Sequence, residues 1–326
     1  MKESLYVEAT ERAWHFVWRH KVLWLFGIFA AFLGQFGMVD FLSKVGIIRG
    51  GADRYFGAFF GGFGRLGKFA ATVGSTFSSQ LLLVFLAILL LALLTLLIFT
   101  AVSAQGSLIH SVFQAEKKNK VDVGRAWAAG TANFWRLFIL NFLRKASFVF
   151  ISVSVGLFAV NALARPSVTS SIIFILSFSA LAVLGLMVSF LFFYAAAYVI
   201  IGKFSVLTAL GRAYKLFSGH WLVSFEIGLV VLVLNLFLGL ITALVFALLL
   251  LPAILIWFAI VVVGGGNYFA LASVFMAALI FFTMYLMLVG AGFTVFTSYI
   301  WTYAFLKMEK HGLKSKVLDW LHSWKK

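Results

Sequence analysis

The sequence predicts an all-α, polytopic membrane protein, and three observations carry that prediction. Hydrophobic residues make up 63% of the 326-residue chain and charged residues 11%. An ordinary soluble domain carries roughly 25% charged residues, so this chain cannot clothe a water-facing surface. Several uncharged apolar runs exceed the ~20 residues that cross a bilayer as a helix. Finally, 26 Lys and Arg against 10 Asp and Glu leave a net charge of +16, and the basic residues collect beside the apolar runs. In a soluble chain that balance would point to nucleic acid; beside membrane spans it points to anionic lipid headgroups instead. Cysteine is absent, which removes disulfides, thiolate metal sites and cysteine nucleophiles from consideration.

Taken in order, the apolar runs fall at 22–38, 81–102, 134–164, 171–201, 221–263 and 268–305. The first starts only after Lys21 and lacks a small-residue cleavage site, so it is expected to be a retained span. Backbone groups in lipid must be paired within their own segment, which makes each run a helix. The third contains Arg144 and Lys145 and begins as a span either near Phe134 or after these two cations. The fifth would reach ~65 Å at 1.5 Å per residue, about twice the hydrocarbon thickness. Pro252 is expected to kink it, and Gly264, Gly265 and Gly266 to separate it from the sixth. Folding each of the last two runs into a hairpin would give eight spans. Six are preferred, because neither Gly239 nor Gly290 comes with polar turn residues.

Charge assigns the sides. The N-terminus, the connections at 104–145 and 202–220 and the C-terminus together hold 20 of the 26 basic residues, leaving six for the other side. The positive-inside rule places the richer side in the cytoplasm. The expectation is a multi-pass protein of the inner, or cytoplasmic, membrane with both termini cytoplasmic.

The stretch "ERAWHFVWRHKVLWLFG" opens the first span and is echoed twice. Arg12-Ala13-Trp14 precedes Trp24 and an apolar run, Arg125-Ala126-Trp127 precedes Trp135 and a run, and Arg212-Ala213-Tyr214 precedes Trp221 and a run. Ala9, Arg12, Ala13 and His20 further match Ala209, Arg212, Ala213 and His220. Trp and Tyr favour the headgroup level, and Arg and Lys reach phosphates while their stems cover apolar surface. A helix bearing both lies in the interface. The chain is therefore expected to be one integral membrane domain of three units, at about 1–115, 116–203 and 204–310. Each is an amphipathic interfacial helix followed by a helical hairpin. Residues 311–326 add a basic tail in which Leu313, Val317, Leu321 and Trp324 form an apolar stripe. The candidate lipid-facing residues are Arg12, Trp14, Trp24, Arg125, Trp127, Trp135, Arg212, Tyr214 and Trp221.

These features resemble a group of bacterial and archaeal six-helix membrane proteins, including the membrane domain fused to some glycerophosphoryl diester phosphodiesterases and its stand-alone relatives. The matching parts are "AWHFVWRHKVLWLFG", "AQGSLIHSVFQAEKKNKVDVGRAWAAGTANFWRLF", "LTALGRAYKLFSGHW" and "YIWTYAFLKMEKHG". The phosphodiesterase domain has no counterpart in the chain, so the resemblance implies a fold without that activity.

Few residues invite chemistry. Glu226 is the one carboxylate inside the six apolar runs, and an ionisable group in a span is by default a functional candidate. Arg144 and Lys145 are its natural partners for an intramembrane ion pair. Five residues past Trp221, Glu226 also lies only ~7 Å along the helix and within reach of headgroup water. The six histidines lie near span ends or in the tail without zinc-motif spacing. Asn141, Asn161 and Asn235 are expected to bond across helices. In the loop 39–80, Phe56, Phe59, Phe60, Phe63 and Leu66 would share one helical face, yet its glycines suit a flexible loop equally well. With no acid–base pair, nucleophile–base set or metal cluster, no catalytic residue or cofactor is expected. The functional expectation is a non-enzymatic protein that engages or organises anionic membrane lipid. A small-solute or ion transporter or channel is the alternative, set back by the leucine-rich second span and the scarcity of polar residues at midplane depth.

Overall fold

The apolar runs do become helices. In the computed structural model, residues 5–32, 77–118, 120–164, 167–263 and 268–311 are described, and among them the chain forms helices and no strand. In order these are α1 (Leu5–Arg19), α2 (Leu23–Phe32), α3 (Phe77–Lys118), α4 (Val123–Ala132), α5 (Phe134–Ala164), α6 (Val168–Gly202), α7 (Val206–Gly219), α8 (Trp221–Val263) and α9 (Tyr268–His311). Five of them, α3, α5, α6, α8 and α9, are long and apolar enough to cross a membrane. The protein is an integral membrane protein of the multi-pass kind. The ten residues of α2 are apolar, and the remainder of the first run lies outside the described residues. So do the loop faces at 56–66, Arg165, the three glycines at 264–266 and the tail stripe.

Three helices are much longer than a span requires. At 42, 43 and 44 residues, α3, α8 and α9 extend for roughly 63–66 Å, about twice the ~30 Å hydrocarbon layer. Neither α8 nor α9 folds into a hairpin, and Pro252 lies inside α8 without ending it. The connection expected to begin at 104 is in fact helical as far as Lys118. Helix α5 runs unbroken from Phe134 through Arg144 and Lys145. Its 31 residues exceed the ~20 needed to cross by about eleven, so both cations can stay at headgroup level while the rest spans.

Burial is distributed along the helices in a repeated way. Residues 84–96 of α3 are all exposed, as hydrocarbon-facing side chains would be, whereas nearly all of 101–112 are buried. Helix α6 is buried throughout 194–200 and α9 throughout 294–305. Helices α3, α6 and α9 thus each carry, towards their C-terminal ends, several turns that are almost wholly buried.

Contacts divide the chain into two compact units: 1–31, 107–126 and 215–326 form one, and 32–106 and 127–214 the other. In the first, α1 and α8 each pack on α9, and Phe246 meets Phe282 with ring centroids 4.6 Å apart. Helix α2 crosses α9 so closely that a Cβ on Gly27 would lie 2.4 Å from the Ala291 carbonyl oxygen. In the second, α5 and α6 pair along their length. There a Cβ on Gly106 would meet the Gly130 Cα at 3.0 Å, and Asn141 donates to Gln105 across helices at 2.7 Å. Small residues let backbones approach in this way. The Asn235 amide, by contrast, donates to Val231 on its own helix.

Caps fix where the helices start. Asp122 accepts from the Arg125 backbone N–H and so opens α4, while Ser167 and Ser170 form a reciprocal capping box at the start of α6.

Candidate interfacial site

Each Arg-Ala-aromatic triplet lies on a short helix with one buried edge. Ala13, Ala126 and Ala213 are all fully buried, while the arginine before each is exposed. The aromatic after it is exposed in Trp14 and Tyr214 and half-buried in Trp127. The first and third copies agree further. Ala9, Ala13, Phe16 and Val17 are buried in α1, as are Ala209, Ala213, Leu216 and Phe217 in α7, and every position between them matches in exposure class. Alanine suits the buried edge because it lets a helix sit close to its support while leaving the flanking long side chains outside.

A polar residue ends each of these helices at the same distance from its arginine. It is His20 after Arg12, Asn133 after Arg125 and His220 after Arg212. The Asn133 amide donates to the Ala129 carbonyl at 3.0 Å, and Nδ1 of His220 meets the Leu216 carbonyl at 3.2 Å. At His20 the backbone N–H holds Phe16, and the imidazole ring lies 5.0 Å from the Phe16 ring. Burial, then neighbouring Arg19, keeps that imidazole below its ordinary pKa. Each side chain thus occupies the end of a short helix just before an apolar one begins. The alignment of Asn133 with the two histidines escaped the sequence reading because the residue types differ.

The aromatic residues divide into two groups. Trp135 and Trp221 join Trp14 and Tyr214 among the exposed ones. Trp24 is instead built into the fold: its indole N–H donates to the Val17 carbonyl at 3.1 Å, and its ring lies against Gly292.

The three arginines meet different surroundings. Arg12 lies 3.0 Å from Glu8 and 3.6 Å from Glu116. Around them, the Tyr299 hydroxyl donates to Glu116, Lys307 approaches Glu8 at 3.8 Å, and Arg12 and Lys307 both lie over the Tyr303 ring. The Tyr303 hydroxyl is buried and makes no hydrogen bond of good geometry among the described residues. It faces Glu8 and is the main influence holding that carboxyl below its ordinary pKa; partial burial opposes this, and Lys307 and Arg12 reinforce it. This network fastens α1 to the ends of α3 and α9. Arg125 pairs with Asp122 at 3.1 Å. Arg212 has an aromatic neighbour, its guanidinium lying 3.8 Å over the Phe204 ring.

Of the residues expected to pair within the membrane, Glu226 is half-buried on α8 in the first unit. Arg144 is half-buried and Lys145 exposed on α5 in the second. Among the described residues, no three His, Cys, Asp or Glu side chains gather where they could hold a metal ion.

No protein-family model matches this chain, and no curated protein or solved structure matches it either. The site must therefore be read from its own chemistry. Exposed guanidinium and indole or phenol groups on a helix docked by alanines can meet a charged, half-apolar boundary.

Proposed function

We propose that the chain is a non-enzymatic, six-span membrane protein with both termini in the cytoplasm. Its three interfacial helices, one ahead of each helical hairpin, engage anionic lipid headgroups. The observation that carries this reading is the recurrence of one pattern, with a buried alanine between an exposed arginine and an aromatic residue and a polar residue at the following break. A helix serving only to orient the chain during insertion would need the charge but not the same docked edge three times. The family resemblance enters as one of fold. A solute path has less support, since the buried hydroxyls of Ser111 and Thr294 are spent on carbonyls of their own helices.

The test removes cations without disturbing the Arg12 network. Arg19 is exposed, closes α1 and has no ion-pair partner among the described residues, so it stands in for Arg12. With ~1 kcal/mol for each cation near a charged leaflet, Arg19→Gln, Arg125→Gln and Arg212→Gln together should weaken phosphatidylglycerol retention in native mass spectrometry by at least about tenfold. Phosphatidylcholine retention should not change. Orientation is checked in the same variant through Ala115→Cys, which an impermeant thiol reagent should fail to label from outside intact cells. A correctly oriented variant that holds phosphatidylglycerol as well as the parent refutes the reading.

A further inference from the structure

The three repeats are not electrostatically equal. From residue 123 to residue 225 the chain contains no Asp or Glu, yet it carries Arg125, Arg136, Arg144, Lys145, Arg165, Lys203, Arg212 and Lys215. Arg12 and Arg125 have carboxylates beside them, at 3.0 Å and 3.1 Å. In the second compact unit the described residues include no carboxylate at all, and three of its cations converge on one short connection.

That connection is 203–205, between α6 and α7. Lys203 ends α6 in the left-handed conformation at φ 56°, which turns the chain sharply. Its carbonyl accepts from the Arg136 guanidinium at 3.2 Å, and the same nitrogen reaches the Asn133 side-chain oxygen at 3.4 Å. Both acceptors are neutral, so they orient the guanidinium and leave its charge uncompensated. The next residue, Phe204, folds its ring over Gly202 so tightly that a Cβ there would sit 2.5 Å away. The Tyr198 ring supports it from 6.1 Å. The Arg212 guanidinium carbon lies over this ring, 3.8 Å from its centre. A guanidinium held over a ring spends none of its N–H donors on an oxygen acceptor there, and those donors match the oxygens of a phosphate. All three cations are exposed.

Two arginines and a lysine brought to one turn repel one another, and the arrangement becomes favourable when an anion sits among them. The surrounding side chains indicate where that anion comes from. Trp135, next to Arg136, and Leu207, two residues past the turn, are 71% and 82% exposed, and Tyr214 lies two residues past Arg212 on the exposed side of α7. Large apolar and aromatic side chains around a phosphate-sized cluster of donors suit a headgroup at the membrane boundary.

We propose that Arg136, Lys203 and Arg212 form the principal anionic-lipid site of the protein, gripping the headgroup phosphate beside the 203–205 turn. The assignment rests on the interfacial reading of the short helices and narrows it to one place.

The experiment uses the full chain in detergent and follows stepwise binding of added phosphatidylglycerol by native mass spectrometry. A second arm adds inorganic phosphate as a soluble competitor. With about fivefold expected per cation near an anionic surface, Arg136→Gln, Lys203→Gln and Arg212→Gln combined should weaken the tightest binding step by about a hundredfold. The control pair Arg19→Gln and Arg125→Gln should weaken it by no more than about fivefold. Arg212→Gln alone leaves the Arg136 hydrogen bonds in place and should still lose about fivefold, so it carries the test if the triple variant does not fold. Equal losses in the triple and control variants would leave the general lipid reading standing and overturn this site. No loss in either would overturn both. Displacement of the bound lipid by millimolar inorganic phosphate would assign the cluster to a soluble anion and overturn the lipid assignment.

Discussion

Gly27→Ala should destabilise the protein, although alanine is the better helix former. The added Cβ would lie 2.4 Å from the Ala291 carbonyl oxygen, 3.0 Å from its carbon and 3.1 Å from its Cα. All three are backbone atoms, so no rotamer change can relieve the contact. Helices α2 and α9 would have to part by about 1 Å, and a gap of that size forfeits a quarter to a half of each contact's dispersion energy. Overpacking of this kind costs about 1–3 kcal/mol, against a gain of about 1 kcal/mol from replacing glycine within a helix. The expected net loss is therefore up to about 2 kcal/mol. Gly239→Ala supplies the control, since nothing lies within 4 Å of a Cβ there, and it should gain up to ~1 kcal/mol. Unfolding in mixed detergent–dodecyl sulfate micelles, followed by tryptophan fluorescence, measures both. Trp24, one of the ten tryptophans, lies against Gly292 beside the crossing and contributes to that signal. Equal or greater stability of Gly27→Ala relative to Gly239→Ala would refute the close crossing.

Two further outcomes follow from the network that fastens α1. Tyr299→Phe removes the hydroxyl donated to Glu116. A hydrogen bond to a charged group contributes about 1.5–3 kcal/mol, and because Arg12 still pairs with Glu116, the low end is expected. Hydrogen exchange should speed up in α1 and stay unchanged in α5; uniform exchange would count against a latch at this point. The second outcome concerns acid. The Glu8 carboxyl is held below its ordinary 4.5 chiefly by the facing Tyr303 hydroxyl. Its folded pKa is thus depressed, so its stabilising contribution is complete above the unfolded value and is lost as pH falls through the folded one. Acidification below about 4.5 should loosen α1 in the parent, and Glu8→Gln should flatten that dependence. An identical acid profile in both proteins would remove Glu8 from the explanation.

Legibility of the site tracked distance along the chain. The Arg-Ala-aromatic repeats could be read because each lies within one helical turn, and the Glu8–Arg12 pair has ordinary i, i+4 spacing. The burial of Ala13, Ala126 and Ala213 was implicit in an amphipathic pattern. Trp24 carries more than its place before an apolar run discloses: its indole has a partner seven residues back, and its ring lies against a glycine on α9. Asn235 was misleading, meeting its polar need within its own helix.

The sequence by itself determined the membrane class, the helical content and the recurrence of an Arg-Ala-aromatic triplet ahead of an apolar run. Each depends on composition or on neighbours within a turn or two, where hydrocarbon permits few alternatives to the helix. Tertiary structure decided which glycine is crossed by another backbone and which arginine is already matched by carboxylates. Gly27 and Gly239 are alike in sequence, and only the approach of α9 separates them. Arg12 and Arg212 occupy equivalent positions in their repeats, yet one meets Glu116 and the other Phe204. Glu116 and Tyr299 stand 183 residues apart. Whether a charge is spent or available depends on such distant partners, because electrostatic compensation acts through space and not along the chain.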